Sequence, residues 1–65
     1  MDSTTVKARR EALGWSQEKL AREALVTTRT IANIEANRHR PQESTLRVIE
    51  DALRRGEVLA EGNKR

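Results

Sequence analysis

GWSQEKLAREALVTTRTIANIE, residues 14–35, is the stretch on which the fold turns. Gly14 opens it as a natural helix stop, because only a residue without a Cβ enters the left-handed conformation cheaply. Ser16 then supplies a cap, Glu18 lies near the positive end of the new helix dipole, and Trp15 and Leu20 occupy the two positions of a hydrophobic staple. Leu20, Ala21 and Ala24 give this helix a narrow apolar face, while Lys19, Arg22 and Glu23 fall on the solvent side. Leu25 to Thr27 leave space for a tight turn only, and Thr27 caps a third helix. At about 100° per residue, Thr28, Arg29, Ala32, Asn33 and Ala36 fall within one arc of roughly 140°, and Thr30, Ile31, Ile34 and Glu35 fall opposite. One side of that helix is therefore core; the other is short side chains interrupted by one guanidinium and one amide.

Upstream, Val6 and Leu13 lie on one helical face with Arg10 between them, after a Ser3-Thr4-Thr5 stretch able to supply a cap, which predicts a first helix over about 4–13. Downstream, Asn37 tolerates a left-handed conformation, and Arg38-His39-Arg40-Pro41 forms a basic loop ended by proline. Leu46, Ile49, Ala52 and Leu53 predict helix four over about 43–55, stopped near Gly56. Val58 and Leu59 allow one further short turn, and Glu61 to Arg65 read as a frayed tail. The pattern is all-α, a compact bundle of four to five helices, with a domain over 1–56 and a short turn and tail over 57–65.

With 65 residues there is room for one domain, and thirteen Leu, Ile and Val leave little apolar surface for a deep substrate cavity. No cysteine and a single histidine exclude disulfides, thiolate chemistry and a zinc centre, so no metal or other cofactor is expected. Carboxylates scattered among basic neighbours give no acid, base or nucleophile in a pocket, and an enzyme is not expected. No apolar run is long enough to span a membrane and the first residues lack a leader pattern, which leaves the cytoplasm as the expected compartment. The net charge of +3 favours a polyanionic partner.

Two helices joined by a turn of a few residues, inside an all-helical unit, is the arrangement that presents its second helix to the major groove of DNA. Here the likeness extends to particular residues. Arg10, Gly14-Trp15-Ser16-Gln17, Leu20-Ala21, Val26-Thr27, Ile31, Ile34-Glu35 and Pro41, followed by Leu46, Ile49 and Leu53, resemble the lambda-repressor-like, Cro-type helix-turn-helix family over about residues 5–54. The resemblance implies a DNA-binding regulator of bacterial or phage origin, working at the nucleoid. Three departures stand out. Leu25 occupies the turn position where the family usually has glycine, at a cost on the order of 1 kcal/mol. Asn37 replaces a second customary glycine, and Ala36 removes a polar side chain. Family repressors often dimerise through a fifth helix with several large apolar residues, for which this tail offers only Val58 and Leu59.

Residue roles follow from position. Arg29, in the first turn of the third helix, presents a guanidinium able to donate twice to guanine O6 and N7, and Asn33, one turn later, suits adenine N6 and N7. Thr28 suits a thymine methyl or a phosphate, and Ala32 and Ala36 permit close approach. Ser16 and Gln17 stand at a helix N-terminus whose free N–H groups favour phosphate, and the resemblance implies a backbone contact for Gln17. Thr27, Arg38 and Arg40 would add phosphate contacts without sequence preference. Each of these would be an unremarkable surface residue in isolation; their shared placement is what gives them weight. Arg10 and Glu35 both interrupt apolar stripes, where an unpaired charge is costly, and the resemblance implies that they pair.

The expected partner is therefore double-stranded DNA, bound by a sequence-specific transcriptional regulator of repressor type. Homodimerisation is expected to be weak and to arise on palindromic DNA, because Val58 and Leu59 are the only large apolar residues after Leu53. The competing class is a protein-binding module, such as an antitoxin that also regulates its own operon. No membrane partner is expected.

Overall fold

The computed structural model describes residues 3–38 and 41–62, and among these the chain forms four helices and no strand: α1 (Ser3–Ala12), α2 (Gln17–Ala24), α3 (Thr28–Glu35) and α4 (Glu43–Gly62). The cap signals of the central stretch act as read. Ser16 Oγ accepts from the Lys19 N–H at 2.9 Å, and Thr27 Oγ1 accepts from the Thr30 N–H at 3.1 Å. Each hydroxyl satisfies one of the free donors at its helix start.

The first three helices end alike. Gly14, Leu25 and Asn37 have φ of 71°, 61° and 58°. Each reverses the chain so that two successive N–H groups reach back to the last turn: Gly14 to Glu11 and Trp15 to Arg10, Leu25 to Arg22 and Val26 to Ala21, Asn37 to Ile34 and Arg38 to Asn33. This paired closure satisfies carbonyls that would otherwise be unpaired. Glycine adopts it freely and asparagine with little strain, but at Leu25 it is forced on a side chain that crowds its own carbonyl.

Val6 from α1, Leu20, Ala21 and Ala24 from α2, Ile31 and Ile34 from α3, and Ile49, Ala52 and Leu53 from α4 form one buried cluster, with Leu13, Trp15 and Val26 packed on its rim. The alanines on α2 and α4 let those helices approach closely. α2 therefore packs against both α3 and α4, while α1 lies against α3. No helix among the described residues is long and apolar enough to cross a membrane.

Two boundaries differ from the sequence reading. α1 starts at Ser3, so Ser3, Thr4 and Thr5 lie within the helix rather than before it, and any cap falls outside the described residues. α4 does not stop near Gly56; it continues through Val58 and Leu59 to Gly62 as one helix of 20 residues. Gly56 serves close packing instead of termination. A Cβ there would stand 2.5 and 2.6 Å from two ring carbons of Trp15 and 3.0 Å from Leu13 Cδ1. The extension is also tied down from a distance: Arg9 on α1 donates to both oxygens of Glu57 at 2.7 Å and to Glu50 Oε2 at 3.0 Å. A forked guanidinium on two carboxylates supplies the anchor that a helix end lacks by itself.

Candidate nucleic-acid interface

α3 is held from behind by Ile31 and Ile34, both buried, and this fixes which of its residues meet solvent. Thr28, Arg29 and Ala36 are exposed, and Ala32 and Asn33 are half-buried. Arg29 has no hydrogen bond or ion pair within the described residues, so its guanidinium is free to donate outward. Asn33 sits at the edge of this face, where it lines a small recess with Thr30, Ile34, Pro41 and Thr45. Its backbone carbonyl accepts from the Arg38 N–H at 3.0 Å, which ties the start of the basic loop to the last turn of α3.

Behind the face lies an ion pair that orients it. Arg10 Nε and Nη2 donate to the two oxygens of Glu35 at 2.7 and 3.0 Å, and Arg10 Nη1 donates to the Trp15 carbonyl at 2.6 Å. The Glu35 side chain is only 5% exposed. Burial pushes its carboxyl upward, but hydrogen bonds from Arg10 and Gln17 and the charges of Arg10 and Lys7 outweigh that, and the group lies below the ordinary carboxylate range. The hydrogen bonds to Glu35, with the charges of Glu35 and Glu11, outweigh burial and hold the Arg10 guanidinium above its ordinary value. α1, the turn before α2, and α3 are thus joined at one point.

The N-terminus of α2 adjoins this pair. Gln17 Nε2 donates to Glu35 Oε1 at 3.0 Å, which turns its amide inward and leaves one N–H and the carbonyl oxygen for an outside partner. Ser16 is exposed; its oxygen is used as the cap, and its own O–H remains a donor. Thr27 is exposed as well, and its hydroxyl is shared with Thr30 Oγ1 at 2.8 Å. Arg38 is exposed beyond α3. Arg40 and His39 lie outside the described residues.

One residue was missed by the sequence reading. Lys7 borders the notch formed by Arg10, Gln17, Ala32, Glu35 and Ala36, and so places a cation beside the alanine side of α3. Its position three before Arg10, one helical turn away on the same face, was the available signal.

An arginine aimed outward from the first turn of a helix, with the preceding helix packed across its back, is the geometry in which the resemblance can be weighed. The profile of the helix-turn-helix family, of the lambda-repressor-like XRE type, matches residues 6–58, most of the chain. The chain belongs to this family. Nothing matches it among curated proteins or among solved structures. As a lambda-repressor-like helix-turn-helix protein it is a DNA-binding domain of the regulatory kind, with α2 and α3 as the two helices of the motif.

Proposed function

We propose that the protein is a sequence-specific transcriptional repressor of a bacterial cytoplasm, which lays α3 in the major groove of an operator half-site. Arg29 reads a guanine, Asn33 an adenine and Thr28 a thymine methyl, while Ala32 lets the helix sit deep. Ser16, Gln17 and Thr27 hold phosphates from the N-termini of α2 and α3, joined by Arg38 and Arg40 after α3 and by Lys7 from α1. The observation that carries this reading is the exposed Arg29, without a hydrogen bond or ion pair among the described residues, on a helix whose opposite face is locked by two buried isoleucines. A base reader needs such rigidity, because a bidentate contact is lost when the guanidinium wanders.

Selection of bound duplexes from a random pool tests it. The expected result is a short enriched site containing a guanine at which Arg29→Ala loses about 1 to 3 kcal/mol of discrimination. Recovery of no enriched sequence, with random DNA bound as tightly as any selected duplex, would sink the sequence-specific reading.

A further inference from the structure

Between the turn before α2, α2 itself and the last turns of α4 lies a groove of about 340 Å³, within the size range of small-ligand sites. Leu13, Trp15, Leu59 and Ala60 form its apolar walls. Leu59 is 68% exposed, so the chain itself does not cover this wall. The indole of Trp15 has a set position there, because its benzo edge lies so close to Gly56 that no Cβ fits between them.

Three charged residues line the same groove, and they are not equivalent. The Lys19 ammonium lies 5.5 Å from the centre of the Trp15 ring and pairs with the Glu23 carboxylate at 3.1 Å, so these two charges cancel. Arg55 has no carboxylate partner among the described residues. One of its N–H groups donates to the Glu23 backbone carbonyl at 2.9 Å, and the others are unused. The indole N–H of Trp15 likewise has no hydrogen-bond partner among the described residues. Apolar walls, one uncancelled positive charge and two sources of open N–H donors thus line a single recess.

We infer that this groove binds a small aromatic carboxylate, with its ring against Trp15 and Leu59 and its carboxylate on Arg55. A flat ring loses little conformational entropy on binding and packs well against an indole. A carboxylate accepts two parallel N–H groups from a guanidinium, which gives the ligand an orientation as well as a place. Two cations and one anion leave the lining with a single positive charge, which matches a monoanion better than a dianion such as a phosphate monoester. None of the lining residues is among those assigned to DNA, so the site stands apart from the reading of α3 and is tested without DNA.

Trp15 is the only tryptophan, and its indole N–H gives one identifiable signal in a proton–nitrogen correlation spectrum. Added 2-naphthoate should shift this signal saturably, with a dissociation constant on the order of 0.1 to 1 mM, the affinity range of so small a ligand. The uncharged 2-naphthamide should bind at least about fivefold more weakly, as expected when a charge-assisted pair of hydrogen bonds is lost. Arg55→Gln should abolish the difference between acid and amide, whereas Arg54→Gln, at a position that does not line the groove, should keep it. Arg55 also braces α2, so a second variant is needed in case its replacement unfolds the chain. Ala60→Phe fills the groove from an exposed position of α4 and should remove the shift while the amide spectrum stays folded. No saturable shift at about 5 mM, equal binding of acid and amide by the parent, or undiminished binding by Ala60→Phe overturns the inference. So does an indole signal that moves with protein concentration alone, since a second copy of the chain would then fill the groove.

Discussion

Glu35 is a carboxylate with three donors on it and almost no water, and that arrangement makes its neighbours indispensable. Removing Arg10 leaves a buried charge without its counterion, a loss of about 3 to 5 kcal/mol, comparable to the whole stability of so small a domain. Arg10→Ala and Glu35→Ala are both expected to abolish a cooperative thermal transition near room temperature; melts within a few degrees of the parent would show that the pair is dispensable. The pH dependence has a definite sign. The folded Glu35 carboxyl lies below its ordinary value, so its stabilisation is complete above that value and is lost as the pH falls through the folded one. Glu50 and Glu57, lowered chiefly by their hydrogen bonds from Arg9, add in the same direction but are more exposed and more screened. Melting temperature should thus fall as acid is added below the ordinary carboxylate range, and less steeply in Glu35→Gln. That Arg10 and Glu35 would find each other was legible, because each interrupts an apolar stripe. Gln17 as the third donor was not, since a surface glutamine before a polar run carries no mark of where its amide turns.

At the scale of elements, the difference between α2 and α4 shows what sequence signals report. The start of α2 and the closures at Gly14 and Asn37 are local: cap, carbonyl and left-handed residue lie within six positions of one another. The length of α4 is decided elsewhere. Gly56 carries the same signature as a stop, yet Trp15 packs over it and Arg9, 48 positions before Glu57, clamps the next turn. Neither contact belongs to a window around Gly56, and a pattern reading stops the helix too soon. The two glycines of α4 therefore respond oppositely to alanine. In an ordinary helix interior the change stabilises by about 0.5 to 1 kcal/mol. Gly62 has nothing within 4 Å of an added Cβ, so Gly62→Ala should be neutral or mildly stabilising. At Gly56 the new Cβ meets the indole, and the displacement should cost about 1 to 3 kcal/mol. Tryptophan fluorescence reads the cause directly, because Trp15 is the only tryptophan: its emission should shift to the red in Gly56→Ala and stay unchanged in Gly62→Ala. A more stable Gly56→Ala with unshifted emission would mean that the indole does not lean on this turn.

For the molecule as a whole, folding gathers charges that are scattered along the chain. Lys7 is on α1, the Gln17 amide and the α2 N-terminus lie across a notch from it, and Arg38 follows the helix that carries Arg29. A net charge of +3 is too small to bind DNA by bulk attraction, so the placement of cations has to do what their number does not. Reading and holding should then fail in different ways. Arg38→Ala and Lys7→Ala should weaken selected and scrambled duplexes alike, and each should reduce the slope of log affinity against log salt by about one unit, as one fewer counterion is displaced. Arg29→Ala should leave the slope and the affinity for scrambled DNA nearly unchanged while lowering affinity for the selected site. Titrations of the three variants against both duplexes at several salt concentrations separate the cases. An unchanged slope for Lys7→Ala places α1 outside the interface and confines phosphate contact to α2, α3 and the loop beyond. An Arg29→Ala slope reduced with both duplexes weakened equally makes Arg29 a phosphate ligand, and base reading then passes to Thr28 and Asn33 on the same face.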